Sequence, residues 1–174
     1  MSRYIRMTAN VSGEVEADAE AFWNILMDWP AILSWMRAEN PPVKLTKVEL
    51  APGHRVGQIP CTRLCHVDDS GLPPDLKIPP VSAETLLHAD HEARMIYYCI
   101  EGEGPFGMRN YLATTEVDEI TPGRARITCS GRWDLPTGTP RDLVQSAVKS
   151  IYDSIIHDIA LTATGRSPAV SPES

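Results

Sequence analysis

The sequence lacks any apolar run of the length that crosses a bilayer. A membrane-spanning helix needs about 20 consecutive apolar residues, and no segment of the 174 residues approaches that. The segment from Met1 to Arg6 also lacks the apolar stretch of a signal peptide. We therefore expect a cytoplasmic protein that does not engage a membrane.

Basic residues are in the minority, and cysteine is scarce. The chain has 16 Lys and Arg against 23 Asp and Glu, a net charge of −7, which repels phosphate backbones, so we expect no nucleic-acid partner. Two of the four cysteines, Cys99 and Cys129, lie in strand-like segments where free cysteine acts as a small apolar residue. Cys61 and Cys65 have no second Cys or His pair at zinc-finger spacing. We predict four reduced cysteines and no metal site.

Motifs for redox or phosphoryl chemistry are missing as well. The chain shows no nucleophile elbow and no Ser-His-Asp order. The glycines of segment 102–107 join two predicted strands and open no helix, so they cannot present a phosphate site. We predict no cofactor. Any enzymatic function must then rest on acid/base chemistry by side chains alone.

Alternating apolar residues are present along much of the chain. In Ile5–Val15 they recur at period two, which predicts a strand buried on one face. Prolines and glycines separate further strand-like segments, and segment 68–80, with four prolines and a glycine, predicts a loop. The further predicted strands are 43–50, 54–59, 62–67, 81–88, 94–100, 108–120 and 125–135.

Helical signals flank this series of strands. Asp18 is positioned to cap a short helix that ends near Trp29, and Pro30 fits the first turn of a second short helix. Thr139 as cap and Pro140 at the first helical position predict a long helix ending near Gly165. Its apolar stripe comprises Val144, Val148, Ile151, Ile155 and Ile159.

These elements predict one α+β domain over residues 1–165, followed by a disordered tail at 166–174. A curved antiparallel sheet of six to seven strands wraps the long C-terminal helix, with two short helices after the first strand. This is a helix-grip fold. A strongly curved sheet and a helix leave a cavity between them, where a small hydrophobic ligand can bind.

The sequence resembles the START-like, polyketide cyclase/dehydratase (SRPBCC) superfamily, which includes the birch-pollen allergen and the plant abscisic-acid receptors. The resemblance covers nearly the whole chain and implies the helix-grip fold with an aromatic or polyketide-like ligand. It rests on Val15–Trp23, Trp29-Pro30, Arg55–Gly57, Arg109–Thr115 and Trp133–Pro136.

One loop is similar to the receptors in particular. Ser70, Gly71, Leu72 and Pro73 resemble their gate loop, which closes over bound ligand. The receptor latch is replaced here by Gly104–Met108. The resemblance therefore implies a gated cavity, and we transfer neither the hormone nor the receptors' phosphatase partner.

The resemblance also implies ligand-contacting positions. Arg37 falls where the receptors place a lysine that pairs with a ligand carboxylate. The other positions that match cavity residues are Glu84, Tyr98, Tyr111 and Cys129.

The alternation of the strands and the helical stripe add further candidates. Tyr111, Ala113 and Thr115 share one face of their strand. Ile151 and Ile155, on the long helix, complete the predicted ligand contacts.

Two of these residues are candidates for catalysis. An apolar cavity disfavours the charged form of a carboxylate, which suits Glu84 for general acid/base work. Tyr111 can donate its hydroxyl to a developing oxyanion. Each has a structural alternative: Glu84 pairs with Arg37 or binds water, and Tyr111 is a core tyrosine with a backbone partner.

Two functional hypotheses follow. In the first, the protein is an enzyme that catalyses a cyclisation, a dehydration or an aldol-type cleavage without a cofactor. In the second, it is a carrier or sensor whose segment 69–80 closes over a hydrophobic metabolite. The sequence leaves the ligand's identity and a homo-oligomeric state open.

Overall fold

The computed structural model describes residues 3–36, 44–72, 76 and 78–165. Seven strands form one antiparallel sheet in the order β1-β7-β6-β5-β4-β3-β2. Consecutive strands from β2 to β7 pair with each other, so short turns suffice to join most of them. The strands are β1 (Tyr4–Val15), β2 (Lys44–Leu50), β3 (Cys61–Asp68), β4 (Val81–Asp90), β5 (Met95–Ile100), β6 (Arg109–Thr121) and β7 (Arg124–Pro136).

The helices are α1 (Ala19–Met27), α2 (Ile32–Trp35) and α3 (Arg141–Thr164), with 3₁₀ turns at Trp29–Ala31 and Pro105–Gly107. The seven strands, the short helices after β1 and the long last helix confirm the predicted helix-grip fold.

Two local predictions are wrong. Segment 54–59 is not a strand, because Gly53 and Gly57 adopt left-handed backbone with φ of 83° and 78° and so turn the chain. The cap of α3 is Pro140 and not Thr139. Pro140 takes an extended conformation there with φ −64° and ψ 103°, so helical geometry begins one residue later than predicted.

The core lies between the concave face of the sheet and α3. Trp133 and Ile127 of β7 are fully buried, as the alternation of that strand predicts. The buried stripe of α3 differs in part from the predicted one, because Ile151 and Ile155 are only half-buried. The buried apolar residues of α3 are Val144, Val148, Tyr152, Ile156, Ile159 and Ala160.

Close approach of α3 to the sheet requires glycine. A Cβ on Gly13 of β1 would lie 2.7 Å from Cγ2 of Ile156, closer than side-chain carbons pack. The absence of a side chain at Gly13 lets α3 lie directly against β1. The half-buried side of α3, which carries Ile151 and Ile155, therefore faces the opposite part of the sheet.

All four cysteines are free, as predicted. Within the described ranges, no helix is long and apolar enough to span a membrane, and no three metal-ligating side chains cluster. Arg37, Pro73 and the predicted tail at 166–174 lie outside the described residues.

Candidate functional site

A cavity of about 130 Å³ lies between α3 and the strands β2 to β6. Its wall combines apolar side chains with one polar group of residues. The apolar part includes Leu45, Ile100, Phe106, Met108, Val148, Ile151 and Ile155. The polar part consists of Arg63, Cys65, Ser82, Glu84, Tyr98, Tyr111 and Tyr152.

Arg63 and Glu84 form a buried ion pair in this wall. They lie opposite each other in the β3–β4 register, and Arg63 is only 5% exposed. Its Nε and Nη2 donate to Oε2 of Glu84 at 2.9 and 2.6 Å. Its Nη1 donates to the Trp29 carbonyl at 2.7 Å, and the guanidinium lies 3.7 Å from the centre of the Trp29 ring. Arg63 is therefore held on three sides.

Arg63 keeps its positive charge within this ion pair. Burial is the largest single effect and lowers the pKa of Arg63, but the charge and hydrogen bonds of Glu84, with smaller contributions from Cys65 and Tyr98, together raise the pKa. The guanidinium therefore remains a cation and presents a fixed positive charge to the Glu84 carboxylate. The ion-pair partner of Glu84 is therefore Arg63, whereas the sequence suggested Arg37.

Two tyrosine hydroxyls meet on another side of the cavity. The Tyr111 and Tyr152 hydroxyl oxygens are 2.7 Å apart in the core. The Tyr98 hydroxyl also hydrogen-bonds with that of Tyr111. Three hydroxyls joined by two hydrogen bonds leave one hydrogen for a ligand. Burial raises the pKa of Tyr98, Tyr111 and Tyr152, and the Glu84 charge contributes for Tyr98 and Tyr152. These phenols therefore act as hydrogen-bond donors and not as bases.

Gly131 makes room for this hydroxyl pair. A Cβ at Gly131 would lie 2.0 Å from Oη of Tyr152. Tyr152 is not among the site residues predicted from the sequence. The available signal was a glycine within an otherwise alternating strand, which often marks a close approach by another group.

Ser82 is a polar residue of the wall that neither the strand pattern nor the resemblance indicated. It is 7% exposed, and its hydroxyl has no hydrogen-bond partner within the described part of the chain. Cys65 lies opposite it on β3. Burial raises the pKa of the Cys65 thiol to about 12, so this thiol stays neutral.

The predicted site residues divide into two sets. Glu84, Tyr98, Tyr111, Ile151 and Ile155 line the cavity together.

Ala113, Thr115 and Cys129 are buried but are not among its lining residues. The Thr115 hydroxyl and the Cys129 sulfur lie 3.9 Å apart, and Thr115 lines a separate cavity of about 30 Å³ beside Trp29. These three residues do not line the cavity because of their position along the strands. Alternation identifies the face on which a residue lies and not its distance from the cavity.

The gate-loop residues are described in part. The Ser70 amide donates to the Asp68 carboxylate at 3.0 Å, the Leu72 amide donates to the Asp69 carbonyl at 2.8 Å, and Leu72 packs against the core. Gly71 is exposed. A gate function for this loop stays a prediction.

Segment Gly104–Met108 contributes directly to the cavity. Phe106 is buried and lines it, although its φ of 60° is left-handed. This conformation is uncommon for a bulky residue and carries backbone strain. The neighbouring Pro105 and Met108 also line the cavity.

A family model described as "Polyketide cyclase / dehydrase and lipid transport" matches residues 6–163. The chain belongs to this family. The match extends from β1 almost to the end of α3, so it includes every strand and the whole cavity. A comparison with curated proteins finds no significant match.

Solved structures share this family fold at low sequence identity. Truncated norcoclaurine synthase from Thalictrum flavum is 15% identical, with a TM-score of 0.71 over 96% of this chain and 99% of that chain. The same synthase in complex with dopamine and hydroxybenzaldehyde is 14% identical, with a TM-score of 0.69 over 96% and 91%. A Thermobifida fusca protein is 19% identical, with a TM-score of 0.69 over 90% and 92%. At these identities the likeness establishes the fold.

Proposed function

We propose that this family member binds a small aromatic or polyketide-like molecule in its cavity and performs cofactor-independent acid/base chemistry on it. Cyclisation, dehydration and aldol-type cleavage are the reactions of this class. The supporting observation is that a carboxylate and a hydroxyl pair line one mostly apolar cavity. The fold likeness to a synthase solved with dopamine and hydroxybenzaldehyde agrees with an aromatic ligand.

Glu84 is the proposed acid/base residue. Both hydrogen bonds from Arg63 end on Oε2, so Arg63 leaves Oε1 of Glu84 as a proton acceptor towards the ligand. Because Arg63 holds the carboxylate, its direction is set before a ligand arrives. Glu84 removes a proton from the ligand and returns it at a later step, so the residue is unchanged after turnover.

Tyr111 is the proposed electrophilic partner. Removal of a proton next to a carbonyl group places negative charge on the carbonyl oxygen. The linked hydroxyls of Tyr98, Tyr111 and Tyr152 offer one hydrogen to this oxygen, and in an apolar cavity such a bond is stronger than in water. The raised pKa of Tyr111, caused by burial, keeps the hydroxyl protonated for this purpose.

A carrier or sensor is the second candidate. The observation that favours it is the Arg63–Glu84 pair itself, because a carboxylate held by two hydrogen bonds is also typical of a structural ion pair. In that case the cavity binds the same class of ligand and releases it unchanged.

One experiment separates the two candidates. The purified protein is incubated with a library of aromatic and polyketide-like metabolites without added cofactor. Ligands are detected by thermal shift and products by mass spectrometry. A product that the Glu84→Gln protein does not form supports the enzyme, whereas thermal shifts without any product support the carrier. If no compound shifts the melting temperature, both candidates are wrong.

A further inference from the structure

We infer that Ser82 and Glu84 together bind the hydroxyl group of a single-ring phenol. This inference rests on the proposed function, since it concerns the same cavity, and it narrows the ligand class. It assigns a ligand contact to Ser82, a residue that neither the strand pattern nor the resemblance identified.

The unpartnered hydroxyl of Ser82 is the first observation. Buried hydroxyl groups in folded proteins nearly always have a hydrogen-bond partner, yet Ser82 has none within the described residues. The buried indole nitrogens of Trp29 and Trp133 also have no hydrogen-bond partner in the part of the chain that the structure describes, but neither tryptophan lines the cavity. Ser82 does line it, so a bound ligand can supply the missing hydrogen bond.

The neighbouring Glu84 indicates which chemical group this is. Ser82 and Glu84 are alternate residues of β4 and share its cavity face, with backbones roughly 7 Å apart. A carboxylate only accepts hydrogen bonds, whereas a serine hydroxyl donates and accepts. A ligand hydroxyl placed between them can donate to Oε1 of Glu84 and accept from Ser82.

The charge of the wall argues against an anionic ligand. Arg63 already donates to Glu84 and to the Trp29 carbonyl, and its charge is compensated by Glu84. A ligand carboxylate would meet the Glu84 carboxylate without a cation of its own, which is costly in an apolar cavity. A neutral hydroxyl has no such penalty.

The size of the cavity limits the ring system. An apolar cavity of about 150 Å³ binds benzene in an engineered protein, and this cavity measures about 130 Å³. The rings of Tyr98 and Tyr111, with centroids 6.2 Å apart, supply flat walls for an aromatic ring. The volume is therefore close to that of one six-membered ring and well below that of a fused ring system.

The test measures the affinities of phenol, toluene and benzoate by titration calorimetry at neutral pH. Phenol and toluene have the same shape and differ in the hydroxyl. We expect phenol to bind the unmodified protein about 100-fold more tightly than toluene, about 10-fold for each of its two hydrogen bonds, and benzoate to bind more weakly than both. Ser82→Ala should weaken phenol binding about 10-fold and leave toluene binding unchanged.

Two controls make the result specific. Ser12→Ala removes a hydroxyl from the exposed face of β1 and should leave all three affinities unchanged. Ser82→Ala should keep the melting temperature of the ligand-free protein, because its hydroxyl has no partner to lose. If the Ser82→Ala protein does not fold, Ser82→Cys replaces it, because cysteine has a similar size and a weaker hydrogen-bond donor. This variant should show the same selective loss of phenol affinity.

The possible outcomes separate this inference from the proposed function. Equal affinities for phenol and toluene, or an equal loss of both in Ser82→Ala, would overturn the inference while ligand binding stands. Tighter binding of benzoate would overturn the assignment of a neutral ligand. If none of the three compounds binds, the inference fails, and the proposed function is then judged by the metabolite library alone.

Discussion

The hydroxyl oxygens of Tyr111 and Tyr152 lie 2.7 Å apart although 41 residues separate them in the chain. Tyr111 belongs to β6 and Tyr152 to α3, so this hydrogen bond joins the sheet to the long helix at the wall of the cavity. It links the stability of the fold to the shape of the candidate site.

We predict that the two hydroxyls are energetically coupled. Tyr111→Phe leaves the buried Tyr152 hydroxyl without this partner, and the reverse holds for Tyr152→Phe, so each change should lower the free energy of unfolding by about 1–3 kcal/mol. The free energy of unfolding of the double variant should fall by less than the sum of the two losses, because neither hydroxyl of this pair is then left behind without the other. Denaturant unfolding of the four proteins measures this coupling, and strictly additive losses would contradict it.

Gly131→Ala should destabilise the protein through a steric conflict with Tyr152. The added methyl group would lie 2.0 Å from the phenol oxygen and 3.2 Å from Cζ, so the helix or the ring must shift. We expect a loss of about 1–3 kcal/mol, as in other overpacked cores. The same substitution in a Tyr152→Phe background should cost less, because the closest atom is gone. An equal loss of stability in both backgrounds would show that the added methyl group does not collide with the Tyr152 hydroxyl.

Glu84→Gln tests the proposed acid/base role. The amide keeps the volume but cannot exchange a proton, so turnover of a verified substrate should fall by about 100-fold while binding survives. Stability should also fall, because Arg63 then remains buried without a charged partner.

The matched control is Glu49→Gln, which alters an ion pair on β2 outside the cavity and should leave turnover unchanged. If turnover of the Glu84 variant equals that of the unmodified protein, Glu84 has no part in the reaction. Tyr111→Phe then becomes the deciding variant.

Alkaline pH should destabilise the fold through its buried thiols. Burial raises the pKa of Cys65 and of Cys129 from 9.0 to about 12. The unfolded chain therefore loses these protons near pH 9 while the folded protein keeps them, so stability is full below pH 9 and falls between pH 9 and 12. The slope should be about 1.4 kcal/mol per pH unit for each thiol.

Thermal or denaturant unfolding measured from pH 7 to pH 11 checks this slope. Cys129→Ala removes one of the two groups and should make the decline shallower by about 1.4 kcal/mol per pH unit above pH 9. Below pH 8 the free energies of unfolding of the variant and the unmodified protein should differ by a constant amount. A decline that is equally steep in both would show that the thiols do not cause it.

Most of the fold could be predicted from the sequence because its signals are local. Period-two alternation marks a strand whatever its partner, as in β1, and the cap and proline signals located α3 to within one residue. The prediction failed at 54–59, where left-handed glycines override a strand-like composition.

The candidate site was predictable only in part. The resemblance identified Glu84, Tyr98 and Tyr111, all of which line the cavity. It did not identify Arg63 or Tyr152, because their roles depend on partners 21 and 41 residues away in the chain.

The sequence by itself determined most of the strands and helices, which face of each strand is apolar, and the family. Only the tertiary structure decided that Arg63 pairs with Glu84 and that Ser82 has no described hydrogen-bond partner in the cavity wall. The physical reason is that the register between strands and the placement of α3 set these distances. Local periodicity specifies a face, whereas packing of the whole chain specifies which polar groups on that face meet.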